Sequence, residues 1–241
     1  MVDATIEAIA TDTQGYGRRE LAGTAHGLAT AGLGDVARIN QLWDALAESS
    51  VRQIASFTPR ELATTAWAFG KRRSQSAMPK DAPVSKSTEA LFAALAAQSQ
   101  LALSGFTPQG LANLAWAFAS SGPQPAEKSE ELFGAMAAMC ERRADAFNPR
   151  ELAMVAWAFA SLGRLSHASM ILALARSASH RLGSFSGREL AMLGWAYAVF
   201  DVDEASATLF GAGSPFARLT EQRTRADLGA EGLDRARRGR V

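Results

Sequence analysis

The stretch FTPRELATTAWAF, at residues 57–69, decides the fold because its pattern recurs along the chain. Four related stretches are YGRRELAGTAHGL from residue 16, FTPQGLANLAWAF from residue 106, FNPRELAMVAWAF from residue 147 and FSGRELAMLGWAY from residue 185. The leading aromatic residues of the five copies are therefore 41, 49, 41 and 38 positions apart. A period near 40 residues is typical of stacked supersecondary units, so the sequence predicts five repeats.

Each copy opens with residues that favour the start of a helix. In the second copy Thr58 can cap the helix, Pro59 suits the first helical position, and Glu61 can reach back to the cap. Asn148 and Ser186 open later copies in the same way. The recurring motif of every repeat is therefore predicted to form a helix that begins just after the leading aromatic residue.

A second apolar helical segment follows each copy, at residues 42–46, 91–95, 132–136, 170–174 and 209–213. Three glycines are predicted to end first helices as C-caps: Gly70, Gly122 and Gly163. Each unit is thus predicted to be a helical hairpin, and the chain an all-α protein, an α-solenoid of about five stacked hairpins over residues 16–214. Residues 1–15 are predicted to be a lead-in segment, 71–87 an exposed loop, and 215–241 a basic, flexible tail.

Composition sets limits on the function. The chain has 241 residues, is 48% hydrophobic and 20% charged, and carries a formal net charge of +1. These values are typical of a globular protein without a strong overall field, so any basic surface has to come from clustering. The single cysteine excludes an intramolecular disulfide and favours a reducing compartment. No apolar run is long enough for a membrane span, and the first fifteen residues match neither a secretory signal nor a transit peptide.

Residues that could carry catalysis are scarce. Neither the three histidines, His26, His167 and His180, nor Cys140 has the spacing of metal ligands. The phosphate-binding loops, kinase signatures and nucleophile elbows that mark common enzymes are missing. We therefore predict no enzymatic activity, no cofactor and no metal, and we interpret Cys140 as a buried, inert thiol.

Tryptophan lies ten residues after the leading aromatic residue, and a second large apolar residue lies twelve after it. The tryptophans are Trp67, Trp116, Trp157 and Trp195, with His26 in the first copy. Aromatic faces can hold single-stranded bases. These side chains nevertheless lie among alanines, on a stripe that is expected to face the next hairpin. We therefore predict that they are packing residues of the core.

A basic residue recurs three positions after the leading aromatic residue. This arginine slot contains Arg19, Arg60, Gln109, Arg150 and Arg188. Stacked repeats would align these side chains beside helix N-termini, whose free N–H groups favour anions. The slot is either a row of phosphate-binding residues or a solvated face that keeps the protein soluble.

A variable residue lies seven positions after the leading aromatic residue. This variable slot contains Gly23, Thr64, Asn113, Met154 and Met192. Repeat proteins that read RNA one base per unit use variable side chains at a fixed helical position. Contacts from this slot to RNA bases are a weaker hypothesis, since the two methionines do not fit it.

The motif F-[TN]-P-[RQ]-[EG]-L-A-x-x-A-W-A-[FY] resembles the helical repeats of organellar RNA-binding proteins over most of residues 16–210. Such repeats occur in octotricopeptide and heptatricopeptide repeat proteins, in RAP and FAST-kinase-like proteins, and in subunits of the RNA-editing substrate-binding complex. The resemblance implies an α-solenoid that binds single-stranded RNA in a mitochondrion or plastid, in RNA processing, stability or translation. It also implies other subunits of a ribonucleoprotein complex as partners.

The same hairpins could instead hold a protein. Solenoids of the tetratricopeptide or HEAT type bind peptides or subunits, and the near-neutral net charge favours that alternative. The arginine slot, the basic segment at 71–87 and the resemblance favour RNA. A continuous positive groove is the feature that distinguishes the two functions.

Overall fold

The structure, a computed structural model, describes residues 13, 15–32, 37–76, 79, 82–121 and 126–200. That part of the chain contains nine α-helices and no strand, which confirms the predicted all-α class. Most of the predicted lead-in, Gly122, the second helix of the fifth repeat at 209–213 and the predicted tail at 215–241 lie outside the described residues.

The helices alternate between the two halves of each repeat. The first helices are α1 (Arg18–Thr30), α3 (Pro59–Gln75), α5 (Pro108–Ser120), α7 (Pro149–Ser161) and α9 (Gly187–Phe200). The second helices are α2 (Ala37–Gln53), α4 (Lys86–Leu101), α6 (Ala126–Arg142) and α8 (Ala168–Ser179). Each second helix is followed by a short 3-10 turn just before the next leading phenylalanine: Ile54–Ser56, Leu103–Gly105, Ala144–Ala146 and Leu182–Ser184.

Neighbouring helices pack consecutively. Each first helix contacts the first helix of the next repeat, from α1 through α3, α5 and α7 to α9. The second helices do the same from α2 through α4 and α6 to α8, and we call the two sets the first row and the second row. Contacts between the two helices of a hairpin join the rows. The helices therefore bury their apolar side chains in one core cluster that runs through both rows.

The predicted capping boxes start the first helices. The backbone N–H of Thr58 donates to Glu61 Oε2 at 2.8 Å, and the N–H of Glu61 donates to Thr58 Oγ1 at 3.4 Å. In the third repeat Thr107 Oγ1 accepts from the N–H of Gly110 at 3.1 Å, and no carboxylate returns the bond. The same reciprocal bonds join two further pairs: Asn148 with Glu151, and Ser186 with Glu189.

Aromatic rings fill the space between the rows. An aromatic residue of α2, α4 and α6 meets, edge to face, the phenylalanine twelve residues after the leading aromatic residue of the next repeat. The ring centroids are 4.8 to 5.1 Å apart in three such pairs: Trp43 with Phe69, Phe92 with Phe118, and Phe133 with Phe159. All six side chains are almost completely buried. Edge-to-face pairs of this kind add to the stabilisation from burial alone, so these rings form the centre of the core.

The prediction that the recurring tryptophans belong to this core is confirmed only in part, since Trp67, Trp116 and Trp157 pack against its edge and Trp195 does not. Trp67, Trp116 and Trp157 are only half-buried, and Trp195 is 47% exposed. Tryptophan and the core aromatic residue are two positions apart, which on a helix is a rotation of about 200°. When the residue twelve after the leading aromatic residue faces the second row, the tryptophan is turned toward the other side of its helix.

Gly70 does not end its helix, contrary to the prediction. It is buried within α3, and a Cβ at this position would lie 2.8 Å from the Cα of Ala117 on α5. The absent side chain lets the two first-row helices approach closely. Gly163 does fit its predicted role, since it follows α7 with a φ of +65°.

The predicted loop at 71–87 is partly helical. Helix α3 continues to Gln75 because Arg72, in its last turn, packs against the second row. The Arg72 guanidinium lies 5.2 Å from the Trp43 ring centroid and donates to Asn40 Oδ1 at 2.7 Å. The next helix begins at Lys86.

We predict that Gly70→Ala lowers the free energy of unfolding by up to about 2 kcal/mol, measured by urea denaturation. Alanine improves helix propensity by about 1 kcal/mol, but overpacking against a rigid backbone costs about 1–3 kcal/mol. The matched control is Gly134→Ala on α6, where an added Cβ meets nothing within 4 Å and propensity alone should stabilise the protein. Equal stabilisation by both variants would contradict the close approach of α3 and α5.

Candidate nucleic-acid interface

Three recurring slots lie along one face of the first row. The arginine slot, the variable slot and the tryptophan slot are three, seven and ten residues after the leading aromatic residue. Their relative spacing is i, i+4 and i+7, which places them on one face of a helix. In α3 these residues are Arg60, Thr64 and Trp67. Packing of the core aromatic residues toward the second row leaves this face outward.

A groove of about 1150 Å³ crosses this face from α1 to α7. It brings together four residues of the arginine slot, Arg19, Arg60, Gln109 and Arg150, and four of the variable slot, Gly23, Thr64, Asn113 and Met154. His26 and Trp67 of the tryptophan slot also line it. Arg188 and Met192 on α9 do not line it. The structure therefore places eight of the ten residues of the arginine and variable slots in one groove.

The arginines of the slot differ from the structural arginines of the chain. Arg143 is half-buried and donates to the carbonyl of Phe106 at 2.7 Å, which ties the end of α6 to the start of its own repeat. In contrast, the members of the slot are all exposed and form no hydrogen bond or salt bridge with any residue that the structure describes: Arg19, Arg60, Gln109, Arg150 and Arg188. Their donors are therefore available to a ligand.

The groove has a modest positive charge. Its lining includes four arginines and two glutamates, a formal excess of two positive charges. Arg18 pairs with Glu61, with Nε and Oε2 3.3 Å apart. Both glutamates, Glu61 and Glu151, accept bonds from backbone N–H groups in capping boxes. The carboxylates are therefore already engaged at the helix ends, while the arginines of the slot are not.

The variable slot changes character along the groove. Thr64 and Asn113 are half-buried and make no hydrogen bond with any described residue. Gly23 offers only space, since a Cβ there would meet nothing within 4 Å. Met154 is 7% exposed and Met192 is half-buried outside the groove. Polar groups free to bond a ligand therefore occur at this slot in the second and third repeats.

Aromatic rings continue from one repeat to the next beside the variable slot. The His26 and Trp67 ring centroids are 5.1 Å apart, and those of Trp67 and Trp116 are 6.4 Å apart. His26 is exposed and packs on Trp67 rather than in the core. The sequence analysis assigned these rings to the core and did not predict that they would be partly exposed beside the groove. The two-residue offset between tryptophan and the core aromatic residue is the signal that could have identified them.

The groups whose pKa is shifted from its ordinary value lie away from the groove. Cys140 is fully buried, and desolvation raises the pKa of its thiol to about 12, partly offset by Arg143. This agrees with its interpretation as an inert thiol. Burial, followed by the charge of Arg164, lowers the pKa of His167. Across the described residues, no group of three or more His, Cys, Asp or Glu side chains is placed to hold a metal ion.

None of the protein-family models matches the chain, and no curated protein matches it significantly. Among the helices that the structure describes, none has the length and apolar character needed to cross a membrane.

We predict that Phe118→Ala and Trp116→Ala, two residues apart on α5, differ sharply in their effect on stability. Phe118 is buried between Phe92 and Phe133, so its truncation should cost about 3–5 kcal/mol. Trp116 is partly buried and packs against the edge of the core, so its truncation should cost less, about 2 kcal/mol. Both are measured as free energies of unfolding in urea. Equal losses of stability would mean that Trp116 is as deeply packed in the core as Phe118.

Proposed function

We propose that this chain is a non-catalytic, single-stranded RNA-binding α-solenoid. The two rows of consecutively packed helices support the solenoid arrangement. The observation that carries RNA binding is the groove, where exposed arginines that make no bond with any described residue occupy the same slot in three of four repeats. The resemblance of the repeat supports a role in mitochondrial or plastid RNA processing, stability or translation, with other ribonucleoprotein subunits as partners.

The phosphates and the bases of the RNA would meet different parts of the groove. Arg60 and Arg150 lie in the first turns of α3 and α7, where N–H groups that have no partner within the helix also attract anions. Backbone phosphates would therefore lie along the N-terminal edge of the first row. Thr64, Asn113 and Trp67 lie one to two turns further along and would face the bases.

A protein-binding scaffold of the tetratricopeptide or HEAT type is the second candidate. It is favoured by the formal net charge of +1 and by the small charge excess of the groove. A peptide ligand would use the apolar and aromatic lining more than the arginines. The two candidates therefore differ in how binding should respond to salt.

We predict that the triple variant Arg19→Gln, Arg60→Gln, Arg150→Gln, which removes the three slot arginines that line the groove, binds every unstructured RNA more weakly and by a similar factor. Phosphate contacts add affinity without sequence preference. Each lost contact to a single strand should reduce the slope of log affinity against log salt by about 0.7. Stability should change little, because all three side chains are exposed and make no hydrogen bond or salt bridge with a described residue. A salt titration by fluorescence anisotropy on one unstructured RNA measures the effect.

A matched control removes the same charge from the second row. Arg52, Arg142 and Arg176 are exposed on α2, α6 and α8 and do not line the groove. Changing these three to Gln should leave the salt slope at the wild-type value. If the two triple variants behaved alike, the arginine slot would only solubilise the surface, and the scaffold function would become the better explanation.

A further inference from the structure

We infer that the groove reads sequence at only two adjacent nucleotides, those that face Thr64 and Asn113, and holds the flanking nucleotides without preference. This inference rests on the proposed RNA binding and adds where the specificity lies. It makes Thr64 and Asn113 the specificity-determining residues of the groove, and it gives the other repeats the role of positioning the strand.

The two readers are polar groups with unused hydrogen-bonding capacity. Both side chains are half-buried in the groove lining and have no partner among the described residues. The Asn113 amide offers a donor and an acceptor, and the Thr64 hydroxyl can act as either. A bound base would remove them from water, so an unsuitable base would leave a buried polar group without a partner. That loss is the usual source of strong discrimination by hydrogen-bonding sites.

The remaining repeats lack such groups at the same slot. Gly23 has no side chain, and Met154, nearly buried, presents a thioether that is only a weak acceptor. Met192 lies outside the groove. These positions can contact a base through shape and apolar surface, but they do not distinguish donor from acceptor patterns.

Aromatic rings lie beside the two readers. Trp67 follows Thr64 by three residues on α3, and Trp116 follows Asn113 by three residues on α5. Residues three apart on a helix are neighbours on its surface, and the two tryptophan rings are themselves 6.4 Å apart. Trp67 lines the groove, and Trp116 lies next to it but is not part of the groove lining. A base read by Thr64 can therefore stack on Trp67, and stacking is tolerant of sequence. The pairing of one ring with one polar reader occurs in two adjacent repeats, which predicts a dinucleotide.

The test is selection of bound sequences from a randomised single-stranded RNA pool by the full chain. We expect enrichment at two neighbouring positions and none elsewhere, with each favoured base preferred by about tenfold or more, as for good side-chain contacts to base edges. Asn113→Ala should remove the preference at one position and leave the other. Thr64→Val, which keeps the shape and loses the hydroxyl, should remove the other preference.

A gain of specificity gives a test that does not depend on losing a contact. Gly23→Asn places a reader in open space next to the second repeat and should extend the preferred sequence by one nucleotide. The control Met154→Leu conserves the apolar contact and should leave the selected sequence unchanged.

The outcomes separate this inference from the proposed function. Binding of the pool with no preferred sequence, or a preference that survives both Asn113→Ala and Thr64→Val, would overturn the inference while RNA binding stands. Failure of the wild-type chain to bind any RNA of the pool would instead overturn the proposed function itself, and with it this inference.

Discussion

The fold depends on aromatic rings packed between two rows of helices. Phe118 shows the arrangement, with its ring centroid 5.1 Å from that of Phe92 in the preceding repeat and 5.9 Å from that of Phe133 in its own. This contact fixes the rotation of each first helix about its axis. Once the residue twelve after the leading aromatic residue faces the second row, helical geometry turns the arginine, variable and tryptophan slots away from that row. The groove is therefore a consequence of the core.

The sequence was a good guide to the helices and a poor guide to their rotation. The caps at Thr58 and Asn148 were predictable because they need only local bonds between residues three apart. The partial exposure of Trp67 was not, since hydrophobicity alone does not say which of two aromatic residues, two positions apart on a helix, faces the core. Gly70 misled for a related reason: a glycine near a helix end fits a C-cap, and only the proximity of Ala117 shows its actual role.

The candidate site could be predicted in part from the sequence, because the spacing of its residues is regular. The regular spacing of the arginine and variable slots predicted that their members would align, and the structure places eight of ten in one groove. The exclusion of Arg188 and Met192 was not predictable, because it depends on how α9 packs on α7 rather than on any local pattern. That Arg60 and Arg150 make no bond within the part of the chain that the structure describes likewise becomes apparent only in three dimensions.

The capping boxes and the arginine slot together determine how charge is arranged at the N-terminal ends of the first helices. Glu61 and Glu151 lie next to arginines of the slot, and free carboxylates there would weaken any attraction for phosphate. Each carboxylate instead accepts a backbone N–H at 2.8 Å, and Glu61 also pairs with Arg18. The helix ends thus hold the acids in fixed positions, while the neighbouring slot arginines donate to none of the residues that the structure describes. In this way a chain with a formal net charge of +1 presents basic groups in a regular row, and clustering compensates for the lack of overall charge.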